Sequence, residues 1–116
     1  MRRLSVVCLY LEKVTIASFK DIDRCGDLHT DVFGEFNVLG VTVGTNGYQG
    51  GDSGHGNRTY ICLEDLGSTD IDAAVSLNHD GYTKVEIMLG GDSELDSLID
   101  SLRWAADRLE ALKNTQ

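Results

Sequence analysis

The sequence predicts an α+β fold, a mainly antiparallel sheet of five or six strands covered on one face by a single C-terminal amphipathic helix. Several short segments alternate apolar and polar residues, as half-buried strands do. Asp80-Gly81 separates two such segments and is a strong hairpin signal. The last part of the chain instead repeats apolar residues at helical spacing. At 116 residues, 41% of them hydrophobic, the chain should form a single domain over residues 1–116.

The first two predicted strands lie at the start of the chain. Residues 4–11 alternate, but both of their faces are apolar. Glu12-Lys13 predicts a turn into a second strand over residues 14–19. A strand with two apolar faces needs cover on both sides, and one helix covers only part of a sheet. We therefore expect a homo-oligomer in which a second subunit covers the outer face.

The remaining predicted strands follow a polar loop over residues 20–30 and are residues 32–43 (one long strand or two short ones), 59–63, 73–78 and 83–89. Gly34 and Gly40 are expected to be bulges or points of close approach within residues 32–43. The last two strands should pair across Asp80-Gly81.

The C-terminal helix is predicted by its start signal and by its periodicity. Gly90-Gly91 breaks the last strand, and Ser93 with Asp96 resembles a capping box. The apolar positions that then recur at helical spacing are Leu95, Leu98, Ile99, Leu102, Ala105, Ala106, Leu109 and Leu112. The charged positions of the opposite face are Asp96, Asp100, Arg103, Asp107 and Glu110. This pattern predicts a helix that packs on the sheet.

Charge and cysteine content narrow the functional classes. The net charge of −9 repels phosphate backbones, which argues against direct nucleic-acid binding and suits either solubility or a basic protein partner. No apolar run approaches the ~18 residues of a membrane span, and Glu12-Lys13 interrupts the N-terminal apolar stretch too early for a signal peptide. The three scattered cysteines form no C-x-x-C pair, which favours a reducing cytoplasm over a disulfide framework. Cys25, in the polar loop, is the cysteine that could be reactive.

The most informative segment is residues 44–58, which read G-T-N-G-Y-Q-G-G-D-S-G-H-G-N-R and hold six of the 13 glycines. Such a run indicates a shaped loop, and successive glycine amides can form a nest that holds an anion such as phosphate. The candidate ligand-binding residues are Tyr48, Gly50, Gly51, Asp52, Ser53, His55 and Arg58. Arg58 would bind the phosphate in a bidentate way, and His55 would donate to it. Tyr48 would stack on a base, and Asp52 would accept from a ribose hydroxyl.

A purely structural interpretation of this loop is equally open. It could be a hairpin connection in which Asn46-Gly47 and Gly50-Gly51 form turns, while Arg58 pairs with Glu64 or Asp65. A metal site would need Asp52 and His55 with help from others, for which Asp31, His29 and His79 are the candidates. Two ligands three residues apart are weak evidence, so we expect neither a metal nor another cofactor.

The sequence contains no recognisable catalytic constellation. Residues 51–54 read G-D-S-G, as at the nucleophile of chymotrypsin-like proteases, but that family needs about twice this length and differently placed partner residues. The leading hypothesis is a non-enzymatic, cytoplasmic protein that sequesters a nucleotide-like or other anionic small molecule. By analogy, a compact acidic protein of this kind is similar to phage-encoded inhibitors of host defence. The alternative is a protein–protein inhibitor whose acidic surface, residues 21–31 and the outer carboxylates of the helix, blocks a basic nucleic-acid-binding partner. A hydrolase that uses His55 and Asp52 is a third hypothesis.

Overall fold

The computed structural model describes Phe19, residues 22–51 and residues 56–115. A short 3-10 helix, Ile22–Cys25, precedes the strands. The strands are β1 (His29–Phe33), β2 (Val38–Thr45), β3 (Thr59–Gly67), β4 (Ile71–Leu77) and β5 (Thr83–Leu89), and the helix α1 is Asp92–Thr115. The strands predicted over residues 4–11 and 14–19 lie, apart from Phe19, outside the described residues.

The α+β fold and the C-terminal helix on a sheet are confirmed, but the described strands form two sheets instead of one. The larger sheet is antiparallel in the order β1-β2-β3, and β4 pairs with β5 in a separate antiparallel hairpin. The chain turns between the sheets at Ser68, whose φ of 59° is rare for a residue other than glycine. The Asp65 carboxylate fixes this turn, since its Oδ1 accepts from the backbone N–H groups of Gly67 (2.8 Å) and Thr69 (3.1 Å).

Residues 32–43 contribute to two strands that are joined by a turn. Gly34 lies in that turn with a φ of 98°, which glycine tolerates best. The irregular register lies between Val38 and Leu39, not at either predicted glycine. Gly40 is a point of close approach, because a Cβ there would lie 2.6 Å from Cδ1 of Leu66. The predicted polar loop over residues 20–30 was only partly correct, since it contains the 3-10 helix and the first two residues of β1.

The core lies between the larger sheet and α1. Leu39, Val41 and Val43 alternate along β2, so their side chains share one face, and none of them is exposed. This face packs against Ala105 of α1. The partly buried side chains around this core are Phe33, Leu63, Ile71, Leu89, Trp104 and Leu109. Phe33 and Trp104 meet edge to face with ring centroids 6.2 Å apart.

The residues on the core-facing side of α1 are smaller and more polar than those of the predicted apolar stripe. Its buried residues are Glu94, Ser97, Ser101 and Ala105. Leu95, Ile99 and Leu102 are instead exposed. Successive residues of an α-helix are turned by about 100°, so these three share a side next to the buried one. None of the described helices is both long and apolar enough to cross a membrane.

Candidate functional site

The glycine-rich segment joins β2 to β3, and hydrogen bonds close its neck. The backbone N–H of Asn46 donates to the carbonyl of Arg58 (3.3 Å), and the backbone N–H of Arg58 donates to Oδ1 of Asn46 (2.8 Å). One residue closer to the sheet, the hydroxyl oxygens of Thr45 and Thr59 are 3.0 Å apart. The loop therefore leaves the sheet from a fixed base.

Two glycines set the path of the first half of the loop. Gly47 and Gly50 have φ angles of 75° and 84°, in the left-handed region where glycine is strongly favoured. The backbone N–H of Gly47 donates to Oγ1 of Thr45 (3.2 Å), and Nε2 of Gln49 donates to the carbonyl of Asn46 (2.7 Å). This half is thus a shaped segment held by its own polar groups.

The shaped segment borders a cleft of about 340 Å³ lined by Tyr48, Gln49, Gly50, Gly51 and Asn57. This volume lies at the lower end of the range for small-molecule sites, ~300–1,000 Å³. Three of these residues belong to the predicted ligand-binding set, and the structure brings them together. Gln49 and Asn57 were missed, although both lie in the same segment and carry amide groups that donate and accept hydrogen bonds.

Tyr48 has a basic neighbour that comes from the other end of the chain. Tyr48 is 78% exposed, and Nζ of Lys113 lies 5.5 Å from the centroid of its ring. Lys113 lies in the last turn of α1, and its ammonium is 3.6 Å from a carboxylate oxygen of Glu110. Sequence reasoning missed Lys113, because only the tertiary fold brings the end of α1 to the loop.

The side chain of Arg58 contacts the backbone of its own loop. Its half-buried guanidinium donates from Nη1 to the carbonyls of Gly56 (3.5 Å) and Asn57 (3.1 Å). It is not among the described residues that line the cleft. These bonds brace the second half of the loop at its end next to β3. Its predicted contact with phosphate stays a prediction.

The other predicted site residues, Asp52, Ser53 and His55, lie outside the described residues. The candidate metal partners are placed apart, since His29 and Asp31 are in β1 whereas His79 is in the turn between β4 and β5. There Nε2 of His79 lies 3.5 Å from Oδ2 of Asp80. Within residues 22–51 and 56–115, no three His, Cys, Asp or Glu side chains are grouped so that they could hold a metal ion.

Three titratable side chains in the sheet region are buried or partly buried. Burial raises the pKa of the Cys62 thiol, the charge of Glu64 raises it further, and a hydrogen bond with Tyr60 lowers it in part. Burial also raises the pKa of Glu64. Cys25, for which the sequence favoured an unreactive thiol over a reactive one, is buried in the 3-10 helix, and this burial supports the unreactive thiol.

No protein-family model, no curated protein and no solved structure matches this chain. The proposals for its function therefore depend on its own residues and their geometry.

Proposed function

We propose that this protein binds an anionic, nucleotide-like small molecule in the cleft of the glycine-rich loop and sequesters it without converting it. The observation that carries the proposal is the exposed Tyr48 ring beside the cleft, with the Lys113 ammonium 5.5 Å from its centroid. An aromatic platform next to a lysine ammonium group matches a ligand that has both a planar ring and an anionic group.

The described residues of the cleft supply the remaining interactions. A base stacked on an aromatic ring contributes about 1–3 kcal/mol in nucleic-acid complexes. Gln49 and Asn57 offer amide groups, and the backbone amides of Gly50 and Gly51 can approach a ligand closely because no side chain shields them. Stacking, hydrogen bonding and charge suit retention of a ligand more than its conversion. Asp52, Ser53 and His55 remain proposed ligand contacts on the strength of the sequence.

A thermal-shift experiment tests the proposal, with nucleoside mono- and triphosphates, cyclic nucleotides and phosphosugars as probes. A ligand at ~100 times its dissociation constant adds about 2.7 kcal/mol of stability, which raises the melting temperature by several degrees. We expect a shift with at least one probe, and we expect Tyr48→Ala and Lys113→Gln each to reduce it strongly. Arg58→Ala should also reduce it, because the second half of the loop loses its brace.

Lys84→Gln is the matched control for Lys113→Gln. Both lysines form a surface pair with a glutamate, Lys84 with Glu86 at 3.7 Å and Lys113 with Glu110 at 3.6 Å, but Lys84 lies in β5. The control should keep the full shift. Absence of a shift with every probe, or equal loss in Lys84→Gln and Lys113→Gln, would contradict the proposal. Turnover of a bound probe that stops in His55→Ala would favour the hydrolase hypothesis instead.

A second candidate function is inhibition of a basic nucleic-acid-binding protein by the acidic surface. The observation in its favour is that Asp23, Asp27 and Asp31 are all exposed along the 3-10 helix and β1. Asp96, Asp100, Asp107 and Glu110 are exposed along α1. Such a surface has the charge that a basic partner requires.

A further inference from the structure

The β4–β5 hairpin has one apolar face that the described chain leaves largely uncovered. Directly opposed residues of an antiparallel pair share a face, and here the opposed pairs Ala73–Ile87, Val75–Val85 and Leu77–Thr83 lie on the same one. The exposed fractions of its four large apolar side chains run from 46% for Ile87 to 75% for Val75. The pairs Asp72–Met88, Ala74–Glu86 and Ser76–Lys84 form the other, more polar face.

This face needs a cover if the hairpin is to be stable. A single two-stranded hairpin is at best marginally stable in water, and stability requires a third strand or packing against a helix. Only the base of the apolar face meets that requirement in the described chain, where Ile71 and Leu89 pack against the core. The part beyond this base, towards the Asp80-Gly81 turn, has no such packing among the described residues.

A second uncovered apolar surface lies on α1. Leu95, Ile99 and Leu102 follow each other at helical spacing, and their exposed fractions lie between 38% and 57%. We call this surface the outer stripe. The exposed Ala106 continues it by one turn. The outer stripe begins close in sequence to the end of β5, because only Gly90 and Gly91 separate β5 from α1.

We propose that a second copy of this chain covers both surfaces, with the hairpin of each copy packed on the outer stripe of the other. Each copy carries both a hairpin face that needs a helix and a helix stripe that needs a partner. A two-fold rotation therefore makes the same contact twice and leaves neither surface open, as in a closed symmetric dimer.

The exposed apolar area of the hairpin face and the outer stripe is of the size that a dimer interface needs. Burying a fully exposed Val, Leu or Ile side chain removes on the order of 60–120 Å² of apolar surface. Seven such side chains, each about half exposed, present roughly 400 Å² per copy. Interfaces are about 60% apolar, so the full interface would bury roughly 700 Å² per copy, near the ~800 Å² of a standard one.

The oligomeric state of the full chain in solution tests the proposal. Light scattering after size exclusion, at about 100 µM chain because standard-size interfaces reach down to micromolar affinity, should give twice the chain mass of 12.7 kDa. Val75→Asp on the apolar face and Leu102→Asp on the outer stripe should each weaken the dimer about tenfold or more. Ser76→Asp, on the polar face of the same strand, is the matched control and should leave the dimer intact.

Mixing two variants distinguishes this arrangement from a hairpin-to-hairpin dimer. A heterodimer of Val75→Asp with Leu102→Lys keeps one contact without any substitution, and its other contact brings together charges of opposite sign. Each homodimer instead has two contacts that bury an unpaired charge, so the mixture should dimerise more tightly than either variant alone. In a hairpin-to-hairpin dimer, α1 would take no part in the contact. Leu102→Asp would then have no effect, and the mixture would dimerise no more tightly than the Leu102 variant alone.

Three results would overturn the proposal. A monomeric wild type would leave residues 1–18 of the same chain, or a different protein, as the cover. Equal disruption by Ser76→Asp and Val75→Asp would show that the apolar face is not the contact, and absence of tighter association in the mixture would exclude the reciprocal arrangement. Circular dichroism of each variant checks that the helix is retained, and the exposure of Val75 and Leu102 makes a folded chain the expected result.

Discussion

At the scale of single residues, Glu64 connects burial to the pH dependence of stability. Burial raises its pKa above the usual 4.5, so folding favours the protonated carboxyl. A group with a raised pKa contributes its stabilisation below the pKa of the unfolded chain, near 4.5, and loses it as the pH rises through the higher pKa of the folded chain. At neutral pH, the ionised Glu64 therefore lowers the free energy of unfolding.

Glu64→Gln should consequently melt at a higher temperature than the wild type at pH 7, because the amide cannot ionise. The difference should shrink as the pH falls below the usual carboxyl pKa, where Glu64 is itself protonated. Melting curves of both proteins between pH 4 and pH 8, at intervals of about one unit, measure this. Glu35→Gln, at an exposed position in the turn between β1 and β2, should show a smaller difference. Equal melting temperatures of Glu64→Gln and the wild type at pH 7 would contradict the prediction.

The candidate site shows which residues sequence reasoning can find. Tyr48, Gly50 and Gly51 were predicted because glycine content and aromatic character are visible in one short segment, and all three line the cleft. Lys113 was not, because its position beside Tyr48 depends on the length and direction of α1. Arg58 was predicted as a ligand contact from its residue type, but its hydrogen bonds to the loop carbonyls depend on the path of the backbone.

At the scale of elements, local turn chemistry was a better guide than the pairing of strands. The β4–β5 hairpin was predicted correctly because Gly81, with a φ of 87°, occupies a position that glycine favours. Asn78 adds local support, since its Oδ1 accepts from the backbone N–H groups of Asp80 and Tyr82. The separation into two sheets was not predicted, because it depends on the turn at Ser68 and on the carboxylate of Asp65.

The helix shows a related limit of periodicity. The spacing identified where apolar residues lie on α1, but it could not show which side meets the sheet. Ser97, Ser101 and Ala105 occupy that side, and such small side chains let a helix approach β2 closely. The larger Leu95, Ile99 and Leu102 are left outside, where they form the outer stripe.

Two glycines with positive φ should differ in their tolerance to alanine because only one of them lies against another element. Gly26, after the 3-10 helix, has a φ of 77°, and a Cβ there would lie 2.9 Å from the carbonyl oxygen of Thr45 in β2. Gly81 has a φ of 87° with open space around it. The left-handed conformation costs an alanine roughly 1–2 kcal/mol at either position.

Gly26→Ala should therefore lower the free energy of unfolding by about 1–3 kcal/mol more than Gly81→Ala, since the backbone oxygen cannot move away as a flexible side chain could. Urea unfolding of the two variants and the wild type measures the difference, with the slope of each transition as the check that all three unfold in the same way. A Gly81→Ala variant that is as unstable as Gly26→Ala would contradict a steric role for Thr45.

At the scale of the whole molecule, the net charge of −9 separates the two proposed functions. A negative field opposes the approach of an anionic ligand, so local groups such as Lys113 must overcome it at short range. The same field attracts a basic protein, and then the exposed carboxylates themselves make the contact. The two functions therefore predict opposite effects when acidic residues are reversed in charge.

Asp23→Lys with Asp27→Lys is the variant that uses this difference. Both residues are exposed, and each substitution changes the charge by two, so the net charge falls in magnitude from −9 to −5. If the loop sequesters an anion, the double variant should bind its probe as tightly as the wild type or more tightly, most clearly at low salt, where the field is least screened. Titration calorimetry at about 20 and 150 mM salt measures this.

The same variant should lose any affinity for a basic partner if the acidic surface carries the function. Lys113→Gln is the corresponding variant for the loop, because it removes the cation next to Tyr48 and increases the negative charge of the molecule. It should weaken binding of the anion while it leaves or strengthens attraction to a basic protein. If both variants weakened binding of the same anionic probe to a similar extent, overall folding rather than charge would be responsible, and the placement of the site in the cleft would be wrong.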